Sequence, residues 1–201
     1  GNAVDVRAIQ NDSFRKGGIS FSLRVPKNCV LDRIETANGA IRVEGVNGSR
    51  INLVTRNGAV DVLDTTGELT VETSNGSIEV PSHNGDARLK SSNGRIRADL
   101  ADGSADVKTS NGKIELQLGG KSTDKTSRVE TSNGSIELDL DNARPLNVRT
   151  SNSAIRLTLP RNANAEVRAE TSHSSVNSDF DSLTKEKHSA YGKIGSGGPM
   201  I

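Results

Sequence analysis

Apolar residues in this chain recur as period-two pairs, and the pairs return about every 18 residues. Five residues after a recurring Thr or Ser come Ile41, Val60, Ile78, Ile96, Ile114, Ile136, Ile155 and Val176. Two residues further lie Val43, Val62, Val80, Ala98, Leu116, Leu138, Leu157 and Ser178. Two residues before the Thr or Ser come Ile34, Leu53, Val71, Leu89, Val107, Val129, Val148 and Ala169. Polar residues fill the positions between. Alternation of this kind marks short β-strands with one buried face.

The strands are punctuated by Asn38, Asn57, Asn75, Asn93, Asn111, Asn133, Asn152 and His173, spaced 19, 18, 18, 18, 22, 19 and 21 residues apart. The first six of these precede Gly, a pair suited to a tight turn with positive φ. In the middle of the chain Gly76 to Gly85 and Gly94 to Gly103 are each nine residues apart, so the unit divides into two strand-turn halves. An Asn-Gly between two strands also suits a β-hairpin. A meander of hairpins does not require one residue type at one phase in every unit. A solenoid does, because each position stacks on its own copy. The expected fold is therefore all-β, a single parallel β-solenoid of about eight coils of ~18 residues. Right-handed winding is the default for parallel crossovers.

Residues 31–180 form the repeat array on this reading. Before it, Val4, Val6 and Ala8, then Ile19, Phe21, Leu23 and Val25, alternate with polar residues, so residues 1–30 are expected to form an N-terminal strand cap. Phe14, Phe21, Phe180 and Tyr191 all lie outside or at the ends of the array and are expected to close its open ends. Residues 181–201 read as a C-terminal cap or an incomplete last rung. Ile201 looks like the first residue of a further strand, so the natural chain is expected to continue by a rung.

Three excursions interrupt the unit, at 119–126, 142–145 and 160–164. Insertions in a solenoid emerge as loops, where binding surfaces are most readily built. Lys121, Asp124, Lys125, Arg161 and Asn162 are the candidate binding residues in them.

Composition narrows the function classes. Net charge is +1 with both signs interspersed, which gives no footprint for nucleic acid. No apolar run is long enough for a membrane-spanning helix. A single cysteine, Cys29, excludes an internal disulfide framework. His83, His173 and His188 are scattered, and no metal or other cofactor is expected. The nonapeptide has the period of calcium-binding β-rolls but lacks their Gly-Gly-x-Gly-x-Asp turns; Asp102 to Asp106 is a lone partial match. The Asn column from Asn38 to Asn152 reads as a turn framework, since Asn can bond to its own copy in the stack. The Thr/Ser column reads as satisfying corner amides. Outward Asp and Glu occur throughout, but no pair stands out as catalytic.

The Thr-Ser-Asn-Gly-x-Ile-x-Val repeat, the preceding Leu23 to Asn28 and the ending Gly192 to Pro199 resemble the bacterial DUF4097 family, the YvlB-type, adhesin-like β-solenoids. The resemblance spans roughly residues 20–201. It implies a β-helical domain of the cell envelope or exterior, with a signal or anchor upstream, and carries no catalytic residues over. The expected role is non-enzymatic, adhesin-like binding of a protein or a glycan. A structural or envelope-stress regulatory module and a polysaccharide-processing enzyme are the alternatives. Self-association end to end or along an edge remains open.

Overall fold

The structure, a computed structural model, describes residues 22–121, 124–170 and 178–201. The described residues form an all-β parallel solenoid of seven coils. One side is built from β1 (Leu31–Thr36), β3 (Asn47–Thr55), β5 (Thr65–Glu72), β7 (Ala87–Lys90), β9 (Ala105–Lys108), β11 (Ser127–Thr131) and β13 (Leu146–Thr150). The other is built from β2 (Ile41–Glu44), β4 (Val60–Leu63), β6 (Ile78–Asn84), β8 (Ile96–Asp102), β10 (Ile114–Leu118), β12 (Ile136–Leu140) and β14 (Ile155–Thr158). Each strand pairs in parallel with the same strand of the next coil.

The register follows the apolar columns. Ile41 stacks on Val60, then Ile78, Ile96, Ile114, Ile136 and Ile155 in turn. Val60, Ile78, Ile96, Ile114 and Ile136 are fully buried, as are Leu53, Val71, Leu89, Val107 and Val129 of the opposite side. Burial of an Ile, Leu or Val side chain stabilises by about 1.5–3 kcal/mol, so these columns are the main source of stability. A further inward column runs through Val46, Thr65, His83, Leu100, Leu118 and Leu140, all buried at the bend between the two sides.

The two corners use glycine for different reasons. At the Asn-Gly corner a Cβ on Gly58, Gly76, Gly94, Gly112 or Gly134 would run into the carbonyl oxygen of the equivalent glycine one coil earlier. None of these five has positive φ, and none of the corner Asn residues does either. The expectation of positive φ is thus wrong there: close stacking, not backbone hand, demands glycine. At the other corner Gly67, Gly85 and Gly103 have φ of 111°, 137° and 94° and meet the same crowding.

The ends depart from expectation. The described residues hold seven coils where about eight were expected. Ala169 belongs to β15 (Ala165–Glu170), which pairs antiparallel with β17 (Ser189–Ile194), itself paired with β16 (Leu183–Lys185). β15 thus leaves the parallel stack for an antiparallel sheet, with Ala165 buried and Val167 packed at its small core. Val176 and His173 lie outside the described residues. Phe180 packs with Ala163, Leu183 and Ile194 in a separate small cluster, whereas Tyr191 is exposed. Phe14, Phe21 and most of the expected N-terminal cap also lie outside the described residues. Residues 22–30 hold no strand, and Leu23 and Val25 are exposed at 61% and 44%, so the alternation there buries no face. The first half-coil begins at Lys27, whose carbonyl accepts from Asn47 N, with Cys29 packed against the core.

Candidate functional site

The repeat motif that dominates the sequence is a satisfied framework. Nδ2 of each Asn donates to Oδ1 of the Asn one coil earlier, from Asn57 to Asn38 through to Asn152 to Asn133, at 2.7–2.8 Å. Inside this ladder, Thr73 Oγ1 donates to Gly58 O at 3.3 Å and accepts from Gly76 N at 3.2 Å. Thr55, Ser91, Thr109 and Thr131 repeat that pattern. Each buried hydroxyl therefore satisfies one turn amide and one turn carbonyl.

The outward charges pair along the stack. Arg88 meets Asp106 at 3.0 Å, Lys108 meets Glu130 at 3.3 Å, and Lys113 bridges Glu115 and Glu137 at 2.7 and 2.8 Å, with Arg95 also on Glu115. Exposed pairs of this kind contribute about 0–1 kcal/mol each.

His83 is buried at the bend. Its Nε2 lies 3.1 Å from Gly67 O and its Nδ1 2.9 Å from Thr65 Oγ1. A carbonyl can only accept, so Nε2 carries the proton and Nδ1 accepts from Thr65. Burial pushes the His83 pKa below its ordinary value.

The three excursions come together on one side of the rod. Gly120 and Lys121 from the first, Asn142 and Ala143 from the second, and Pro160, Asn162, Ala163 and Asn164 from the third line a groove of about 540 Å³. Several contacts fix its walls. Asn142 Nδ2 donates to Gly120 O at 2.8 Å, and Lys121 N donates to Asp102 Oδ1 at 2.9 Å. Asn164 Oδ1 accepts from Ser196 N and Oγ at 2.9 and 3.0 Å. Behind the wall Arg144 is wholly buried, donating Nη2 to Gly119 O at 2.5 Å and Nη1 to Gly103 O at 3.3 Å. Its Nε has no hydrogen-bond partner among the described residues, and desolvation lowers its pKa.

Of the five candidate binding residues, Lys121 and Asn162 are brought together in this groove. Asp124 and Arg161 are exposed and do not line it. Lys125 reaches back to Asp86 at 2.5 Å. That hydrogen bond, with two more from Ser104 N and Oγ, holds the Asp86 carboxyl down at about 2. Asn142, Asn164 and Arg144 were not singled out in the sequence. The excursions contain them, but nothing local distinguishes a groove amide from a solvated one, or a buried Arg from an exposed one.

Among the described residues the lining holds amides, one ammonium and small apolar surfaces, with the Asp102 carboxylate bonded to Lys121 N at its wall. Among the described residues no group of three or more His, Cys, Asp or Glu side chains is placed to hold a metal ion. The arrangement can hydrogen-bond a neutral or anionic polar ligand. Comparison with known proteins adds nothing further: no family model, curated protein or solved structure matches the chain.

Proposed function

We propose that this solenoid is a non-enzymatic binding domain of the cell surface or envelope, and that the groove between the three excursions takes a glycan. The carrying observation is that excursions from separate coils, unrelated in sequence, converge on one open groove rich in fixed amides. Amides and an ammonium suit the hydroxyls and carboxylates of sugars. The resemblance of the repeat to DUF4097 supports an adhesin-like role and an envelope location.

Probing a glycan array with the intact protein tests the reading. Retention of one glycan class, competed by the same glycan in solution, is the expected outcome. An array without competable binding removes the glycan reading.

A further inference from the structure

Asn followed by Gly is the pair at which a chain most readily modifies itself. The Gly N attacks the Asn Cγ to form a cyclic imide, and no Cβ on Gly stands in the way. The bond from Cγ to Nδ2 breaks, and ammonia leaves with the Gly amide proton. Water then opens the imide at either carbonyl, giving aspartate or isoaspartate. The attack needs a carboxamide free to turn toward the main chain and a Gly N–H free to give up its proton.

The chain holds eight Asn-Gly pairs, and the fold sorts them. At Asn57, Asn75, Asn93, Asn111 and Asn133 neither group is free. Each carboxamide donates to the Asn one coil earlier and accepts from the Asn one coil later. The Gly that follows is buried, and its N–H donates to a corner hydroxyl at 2.9–3.3 Å. Asn38 holds the first rung, accepting from Asn57, with Gly39 N on Thr36 Oγ1 at 3.2 Å. Asn47 and Asn84 lie outside the ladder. Both are exposed, and neither carboxamide has a hydrogen-bond partner among the described residues. Gly48 and Gly85 after them are only partly buried. Gly85 N donates to Asp102 O at 3.2 Å, a single main-chain bond at the corner.

We propose that Asn47 and Asn84 are modification sites of the folded chain, converted to aspartate and isoaspartate by attack of Gly48 N and Gly85 N. The stacked corner shields the five inner ladder pairs from the same reaction. At Asn84 the product bears on the groove. Asn84 stands in register with Asp102, whose Oδ1 accepts from Lys121 N at the groove wall. Conversion adds a like charge to that column. The isoaspartyl form also adds a methylene to the main chain where Gly85 is stacked between Gly67 and Gly103.

The test ages the folded full chain in mildly alkaline buffer, well below its melting temperature. Digestion at acidic pH and peptide mapping by mass spectrometry then read the conversion at each pair. Asn47 and Asn84 should convert roughly tenfold or more faster than Asn75, Asn93 and Asn111, where hydrogen bonds must open first. In urea that unfolds the chain, all five should convert at similar rates, since each precedes Gly. Thr109→Val, which removes the acceptor of Gly112 N, should speed Asn111 and leave Asn75 slow. Two results overturn the proposal. One is conversion at Asn47 and Asn84 no faster than in the ladder of the folded chain. The other is an order of rates that survives unfolding, which would assign it to sequence context instead of the fold.

Discussion

The carbonyl oxygen of Gly58 occupies the space that a side chain on Gly76 would need. Gly76 does not have positive φ, so its requirement is steric and comes from the neighbouring coil. Gly76→Ala should therefore destabilise by about 1–3 kcal/mol, as an overpacked site. Gly85→Ala should cost more, because φ of 137° adds backbone strain to the same crowding. Urea denaturation of the two variants checks both the cost and the order.

Ile96 and Ile155 hold the same column position but differ in cover: the first is fully buried, the second 43% exposed. Ile96→Asp should unfold the rod or cost more than about 4 kcal/mol, by burying an unpaired charge. Ile155→Asp should shift the melting temperature little. Equal effects would mean that the last coil is as enclosed as the central ones.

The corner hydroxyls and the Asn ladder should separate by burial. Thr109→Val leaves Gly112 N and Gly94 O without their side-chain partner in a buried corner, at about 1–3 kcal/mol per stranded group. Asn93→Ala removes bonds to Asn75 and from Asn111, but at the surface, where water replaces them and the loss stays near about 1 kcal/mol. Thermal unfolding of the pair measures the difference.

His83 should make the fold acid-sensitive. Its folded pKa lies below the ordinary 6.5 because burial disfavours the imidazolium. As pH falls below 6.5 the unfolded state takes up a proton that the folded state does not, so stability declines until the folded pKa is reached. Asp86 acts lower on the scale. Its folded value of about 2, against 3.8, gives stability that is present above 3.8 and lost as pH falls towards 2. Unfolding free energy followed from pH 7 downwards should thus fall in two stages. His83→Leu, matching its neighbour Leu100 in the same column, should flatten the first stage and leave the second.

The stacked coils were legible, though counted as about eight rather than seven, because a stacked fold writes its period into the sequence: each main inward column is apolar throughout, and its register follows from the spacing. The bend column was not, since Thr65 and His83 break its apolar character before Leu100, Leu118 and Leu140 restore it. Positive φ was misassigned to Asn-Gly because the pair serves both a left-handed turn and a close carbonyl contact, which only the neighbouring coil distinguishes. The groove was half legible. Irregular spacing exposed the three excursions, and Lys121 and Asn162 were named. That Lys125 would instead be held by Asp86, 39 residues earlier, depends on a contact across coils that no local pattern encodes.

The central claim is that recognition resides in the groove and that the Thr-Ser-Asn-Gly motif is framework. A side-by-side binding titration tests it, using the best glycan from the array with the Lys121→Ala/Asn162→Ala variant and with Asn93→Ala. The account predicts that the groove variant loses roughly tenfold or more in affinity, as expected when polar contacts to a ligand are removed, while Asn93→Ala binds like the parent. Undiminished binding by the groove variant, with loss in Asn93→Ala, would contradict it.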